Sequence, residues 1–349
     1  MIEELAGGAA IAALLSLAVC RIQMRAGPVD AADETHKTHA RPTPTSGGIG
    51  IALGYTAGLI AMAQLFAPAD LLNRQAEALI SLASAFAFVF LLIGFIDDTR
   101  PIGPRFKFLL FALLSIGASI TMGIVDALPI RENETLKLGL SLGLLGTALW
   151  VFVLVNCVNF MDGANGLAMG SMVVGLSALA AIGYANGSNT VLAMTICAAA
   201  ALIGFLVWNF PRGKIFAGDS GALFAGAVAA IASLILIARA DLSPFIPPIL
   251  FMPLLADALL TLAWRVRHRR KLLVGHQEHF YQILIRAGWS HARVSLLYWA
   301  VMALCGAIGY ALSQSQDVSA PWIALAAAAG LSLAVSIFVR KYARTHGMS

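Results

Sequence analysis

The 349-residue chain is 59% hydrophobic, 12% charged and carries a formal net charge of +5. Soluble domains run at about 25% charged and about 45–50% apolar residues, so the composition excludes a soluble enzyme, a disordered chain and a fibrous protein. It describes an all-α, polytopic integral membrane protein, in which a positive balance reflects loop residues and implies no nucleic-acid partner.

Eleven apolar runs follow one another along the chain, at about 5–20, 48–66, 78–96, 107–125, 139–158, 166–185, 190–208, 221–238, 244–264, 294–312 and 321–339. Each is close to the length of about 20 residues that crosses a bilayer. The start, Met1-Ile2-Glu3-Glu4, is acidic, unlike the basic head of a cleaved signal peptide, so the first run is expected to stay as a span. Connections are short and free of low-complexity tracts, which gives one transmembrane domain over residues 1–349. Its longest polar segments are 21–46 and a His-bearing loop at about 265–293. Cys20, Cys157, Cys197 and Cys305 lie far apart in apolar stretches, so neither a disulfide nor a zinc site is expected.

With the N-terminus outside, nineteen of the 23 Lys and Arg residues fall on the inner side and only Arg74, Arg131, Lys137 and Arg239 outside. Basic residues collect in cytoplasmic loops, so the bias supports eleven spans, an outer N-terminus and a cytoplasmic C-terminus in the plasma membrane.

Ionisable groups at membrane helix ends are costly and mark function by default. In chain order these ends carry Arg41-Pro42-Thr43-Pro44-Thr45-Ser46-Gly47-Gly48 and then Asp97-Asp98 after the third run, with Lys107 downstream. Asn156, Asn159 and Asp162 end the fifth run, Asp219 precedes the eighth, and His276 and His279 lie in the ninth-to-tenth connection. All fall on the expected cytoplasmic face. Simpler readings exist for each: Asp219 as a helix N-cap, the asparagines as interhelical hydrogen-bonding groups, and 265–293 as an amphipathic helix lying on the bilayer. Asn156, Asn159 and Asp162 at three-residue spacing share one side of a helix. Gly50, Gly54 and Gly58 make a GxxxGxxxG row suited to close helix packing.

Carboxylates gathered with basic groups on one face suit phosphoryl transfer with Mg²⁺, which is held by one or two carboxylates together with substrate phosphates. Gly213-Lys214 is followed by Ile215 and lacks the glycine of a P-loop, which excludes ATP hydrolysis of that type.

At these residues the sequence resembles the polyprenyl-phosphate N-acetylhexosamine-1-phosphate transferases. The matching elements are Pro42 to Gly48, Asp97-Asp98 with Lys107, Asn156-x-x-Asn159-x-x-Asp162-Gly163-x-x-Gly166-Leu167, Phe216-x-Gly218-Asp219-Ser220-Gly221, and the His loop, in that order over residues 39 to about 282. The resemblance implies transfer of a sugar-1-phosphate from a UDP-N-acetyl-amino sugar to undecaprenyl phosphate, with release of UMP. It implies Mg²⁺ (Mn²⁺ as the alternative ion) on Asp219, and Asp97 and Asp98 as the catalytic pair. Arg41, Lys107, Asn156, Asn159, Asp162, His276 and His279 become substrate-binding residues. Ser46, Asn165 and the separated histidines look more like the branch that starts O-antigen and other surface polysaccharides than the peptidoglycan branch. The bilayer is a partner in any case, and a homodimer is left open. A secondary transporter and a non-catalytic scaffold of a polysaccharide pathway are the other readings. Polar residues at one face and the full set of acids speak against both.

Overall fold

The structure is a computed structural model that describes residues 2–26, 29–30, 43–66, 72–272 and 276–345. Arg41 and Pro42 lie outside the described residues. In hydrocarbon the backbone has no water to bond, so apolar runs of this length satisfy their own N–H and C=O groups as helices. The long helices are α1 (Ile2–Ala26), α2 (Gly47–Ala61), α3 (Arg74–Thr99), α4 (Pro104–Met122), α5 (Gly139–Phe160), α6 (Leu167–Ala185), α7 (Asn189–Asn209), α8 (Gly218–Arg239), α12 (His291–Ser313) and α13 (Ala320–Thr345). Together these are the 10 helices among the described residues that are long and apolar enough to cross a membrane. Two short antiparallel pairs lie between long helices: β1 (Val29–Asp30) with β2 (Thr43–Pro44), and the hairpin β3 (Ala127–Arg131) with β4 (Glu134–Lys137).

The run at 244–264 differs from the single helix expected of it. It forms a five-residue helix, α9 (Ile246–Leu250), then a 16-residue helix, α10 (Met252–Arg267), with Phe251 between them. Pro253 has no N–H to bond the Ile249 carbonyl, so the helix cannot run on through Phe251, while Pro247 and Pro248 sit in the first turn of α9, where no donor is needed. The connection beyond it is not a surface helix either. The described part of 268–279 is irregular, and the seven-residue α11 (Phe280–Arg286) buries Phe280 to Ile283.

Helix α8 is the centre of the bundle, with every residue from Ser220 to Leu236 buried. Its alanines and glycines let neighbours approach closely, as membrane helix packing requires. The row Gly50, Gly54, Gly58 does the same for α1 against α2. A Cβ on Gly54 would lie 2.5 Å from the Ala12 carbonyl oxygen, and one on Gly58 would lie 2.8 Å from Ala12 Cβ. The outermost helix, α13, exposes Leu331 (68%), Ile337 (62%) and Phe338 (70%), a surface suited to lipid rather than water. All four cysteines are free.

Candidate active site

The C-terminal ends of α3 and α5 and the N-terminal ends of α2, α4 and α8 meet at one end of the bundle. Gly94 sets the α3–α8 approach. A Cβ there would lie 2.5 Å from Ser220 N, so only glycine lets the α3 backbone rest on the first turn of α8. Four residues on, and therefore on the same helix face, Asp98 reaches the end of α8. Its Oδ1 accepts from Asp219 N at 2.8 Å and its Oδ2 from Ser220 N at 3.1 Å. Asp98 thus caps α8 from another helix, satisfying two N–H groups that a helix start leaves open. Gly218 has φ of +70°, and a Cβ on it would lie 2.5 Å from both Asp98 Oδ2 and Thr45 O.

That arrangement frees the Asp219 side chain. Asp219 does not cap its own helix: the N-cap position is Ala217, which makes no side-chain cap bond. Instead Asp219 Oδ1 accepts from Asn159 Nδ2 at 2.8 Å, and Oδ2 is paired with the Lys107 ammonium. Lys107 also donates to Asp97 Oδ2 at 2.7 Å, and Asp97 Oδ1 accepts from Ile102 N at 2.7 Å, closing the α3–α4 turn. Lys107, Asp97 and Asp219 keep 14%, 18% and 28% of their side-chain surface open, so the cluster is partly buried but not sealed.

The Thr45 segment forms an adjoining wall. Phe216 N donates to Pro44 O (2.8 Å), Gly47 N to Phe216 O (3.0 Å) and Gly48 N to Ala217 O (3.0 Å). Side chains at Gly47 and Gly48 would collide with Phe216 O and Gly221 N, which explains the paired glycines.

The Asn156 to Asp162 row divides. Asn159 faces Asp219, whereas Asn156 is 5% exposed and donates to Phe152 O of its own helix at 2.7 Å. Asp162 lies just past the end of α5. Burial, with the charges of Asp219 and Asp98, pushes its carboxyl well above the ordinary range. His279 comes alongside this end of α5, with its ring stacked 6.4 Å from Phe160 and 4.9 Å from His276. Tyr281 donates its hydroxyl to Phe160 O at 3.4 Å, and a Cβ on Gly163 would overlap that hydroxyl.

Sequence reasoning passed over Asp257 and did not foresee the partners of Glu278. Asp257 is a 1% exposed carboxylate on α10, and Glu278 pairs with both Arg265 and Arg270. An aspartate within an otherwise apolar membrane run was the available signal for the first. The basic run from Arg265 to Lys271 suits topology and lipid-headgroup attraction, yet Arg265 is 5% exposed and pairs with Glu278 of the loop.

Whether the site suits a divalent cation turns on its donors. Asp97 and Asp219 converge on one ammonium, so two carboxylates face a single cation, with the Asp98 and Asp162 carboxyls close by. That is a hard-oxygen set with charge to spare. Among the described residues no cluster of three or more His, Cys, Asp or Glu has metal-holding geometry. Two carboxylates completed by substrate phosphates is the arrangement Mg²⁺ accepts, so the residues fit.

Residues 80–237 match Glycosyl transferase family 4, a stretch that holds Asp97, Asp98, Lys107, the Asn159 row and Asp219. The chain belongs to the polyprenyl-phosphate N-acetylhexosamine-1-phosphate transferases and is a membrane-embedded transferase of cell-envelope biosynthesis. It is 27% identical to the probable undecaprenyl-phosphate N-acetylglucosaminyl 1-phosphate transferase of Bacillus subtilis (strain 168), over 88% of this chain and 82% of that protein. It is 30% identical to the phospho-N-acetylmuramoyl-pentapeptide-transferase of Mycobacterium leprae (strain TN), over 78% of this chain and 84% of the relative. The corresponding Mycolicibacterium smegmatis enzyme is 28% identical, over 89% and 96%.

Proposed function

We propose that the protein transfers an N-acetyl-amino-sugar-1-phosphate from its UDP-sugar to undecaprenyl phosphate, starting a lipid-linked envelope glycan. The observation that carries the reading is Lys107 held between Asp97 and Asp219 at the mouth of the bundle. A phosphate oxygen of the lipid bonds to the β-phosphorus of the donor, the α–β phosphoanhydride bond breaks, and UMP leaves with that electron pair. The lipid phosphate loses its second proton near neutral pH, so little is asked of a base.

Asp219 and Asp97 would hold Mg²⁺, with Mn²⁺ as an alternative, and the ion supplies charge neutralisation on the phosphates. Lys107 is already aligned by both carboxylates and adds a cation for the same phosphates. Asn159 orients Asp219, Asp98 fixes the helix end that carries it, and Asp97 is the catalytic carboxylate beside the acceptor. His276 and His279, with Asp162, form the donor side, and Arg41 is a further phosphate contact. Asn156 supports the site from one turn below.

The sites gather at one end rather than at mid-membrane, where transporter sites lie. The Lys and Arg bias supports placing that end in the cytoplasm, with eleven crossings if α9 and α10 together count as one. Ser46, Asn165 and the loop histidines favour the surface-polysaccharide branch. The test is transfer of label from a panel of UDP-sugars into extractable lipid by purified protein in undecaprenyl-phosphate vesicles. Mg²⁺-dependent label in lipid with UMP released is expected. No lipid label from any UDP-sugar would overturn the reading.

A further inference from the structure

Helix α10 carries a polar stripe, Asp257, Thr261 and Arg265, spaced four residues apart and hence along one face. All three are buried, at 1%, 0% and 5% exposure. Buried charge of this kind is expensive unless every lone pair is used, and here each member meets the loop that follows. Arg265 pairs with Glu278 and donates to Lys271 O. Thr261 approaches Glu278 O at 3.5 Å.

Asp257 gathers the most partners. Its Oδ1 accepts from Phe280 N at 2.7 Å and lies 3.3 Å from His279 Nδ1, while its Oδ2 accepts from Tyr281 N at 3.1 Å and from the Tyr298 hydroxyl at 2.6 Å. One carboxylate therefore caps the first turn of α11 and ties it to both α10 and α12. From that turn Tyr281 reaches Phe160 O beside Gly163, and His279 stacks on Phe160. The chain of contact runs from Asp257 to the end of α5 without touching Asp97, Lys107 or Asp219.

We infer that Asp257 is a positioning residue for the donor: it seats the His276–Tyr281 loop against the α5 end, so that this loop forms the wall that receives the nucleotide sugar. The inference rests on the function proposed above.

The test is Asp257→Asn in the full-length protein in undecaprenyl-phosphate vesicles. An amide places N–H groups against donors that need an acceptor, whichever way it turns. The KM for the UDP-sugar should rise about tenfold or more, the scale of one charge-assisted hydrogen bond. The KM for the lipid phosphate and the Mg²⁺ dependence should stay at wild-type values. Amide hydrogen exchange should speed up over residues 276–286 and not over α8. Tyr298→Phe, which removes one donor and keeps the carboxylate, should show the same pattern more weakly and covers the case in which Asp257→Asn fails to fold. Equal losses for donor and acceptor, or unchanged exchange over 276–286, would overturn the inference while leaving the transferase reading intact. A wild-type protein that labels no lipid from any UDP-sugar removes both.

Discussion

Neighbouring carboxylates at 97 and 98 do different work because a helix turns 100° per residue. Asp98 faces the α8 backbone and uses both oxygens there, whereas Asp97 faces Lys107. Asp98→Asn should therefore destabilise the protein by about 1–3 kcal/mol, the cost of leaving a buried donor unsatisfied, and should lower transfer by displacing Asp219. Asp219→Asn keeps the shape, and its amide oxygen can still accept from Lys107 while the Asn159 amide turns to accept from it, so its melting temperature in detergent should fall less than that of Asp98→Asn. Its Mg²⁺-dependent rate should fall by two or more orders of magnitude, on the scale of losing a preorganised electrostatic contact. The pair of measurements separates them: wild-type stability for Asp98→Asn, or a near-normal rate for Asp219→Asn, would reverse these roles. In the loop, burial, with the charges of His279 and Arg265, lowers the His276 imidazole from the usual 6.5 to about 4. Burial raises the Glu278 carboxyl, but Arg265 and Arg270 more than offset this and hold it below its usual range. Between pH about 6.5 and about 4 the unfolded chain binds a proton at residue 276 that the folded chain refuses, so stability falls as pH falls through that window. His276→Gln should show a smaller loss between pH 6.5 and 4 than the wild type, read as melting temperature against pH. Identical curves would place the acid sensitivity elsewhere.

At the scale of elements, the site is made by crossings that small residues permit. Gly94 on α3 and Gly48 at the start of α2 leave no space for a side chain against the first turn of α8. Gly94→Leu forces α3 and α8 apart, costing about 1–3 kcal/mol as overpacking. It also moves Asp98 off the α8 N–H groups, so transfer should fall more than tenfold. Gly146→Ala is the control, since its Cβ would meet nothing within 4 Å and alanine favours the helix by up to about 1 kcal/mol. A fully active Gly94→Leu enzyme would mean that this crossing does not set the site. The break at Phe251 works in the same register: prolines stand in the first turn of both short helices, Pro253 cannot continue the first into the second, and the stripe on α10 then receives the loop residue by residue.

For the molecule as a whole, the described motif segments converge on one end of the bundle, and chemical labelling reads the side of the membrane on which that end lies. Cysteines introduced at Thr45, Thr99, Ala217 and Gln277, with the native four replaced, should react only with reagents that enter the cell. Labelling of any one from outside in intact cells with active protein would break the proposed topology. Membrane class, the ten long helices, the glycine row and the motif residues were legible in the chain, because lipid imposes helix on every long apolar run and makes each ionisable exception conspicuous. Asp257 was just as conspicuous, yet its meaning depends on a loop more than 20 residues away. The prolines near Phe251 were visible as breakers, but hydropathy averages over them. By itself the sequence determined which residues sit at the ends of the membrane helices, since burial and charge are local properties of a run. Only tertiary structure decided that Asp98 caps α8, that Asp219 is free to face Lys107, that Asn156 turns back on its own helix and that Asp257 holds the loop. Those assignments rest on hydrogen bonds between distant segments, whose partners exist only once the helices have packed.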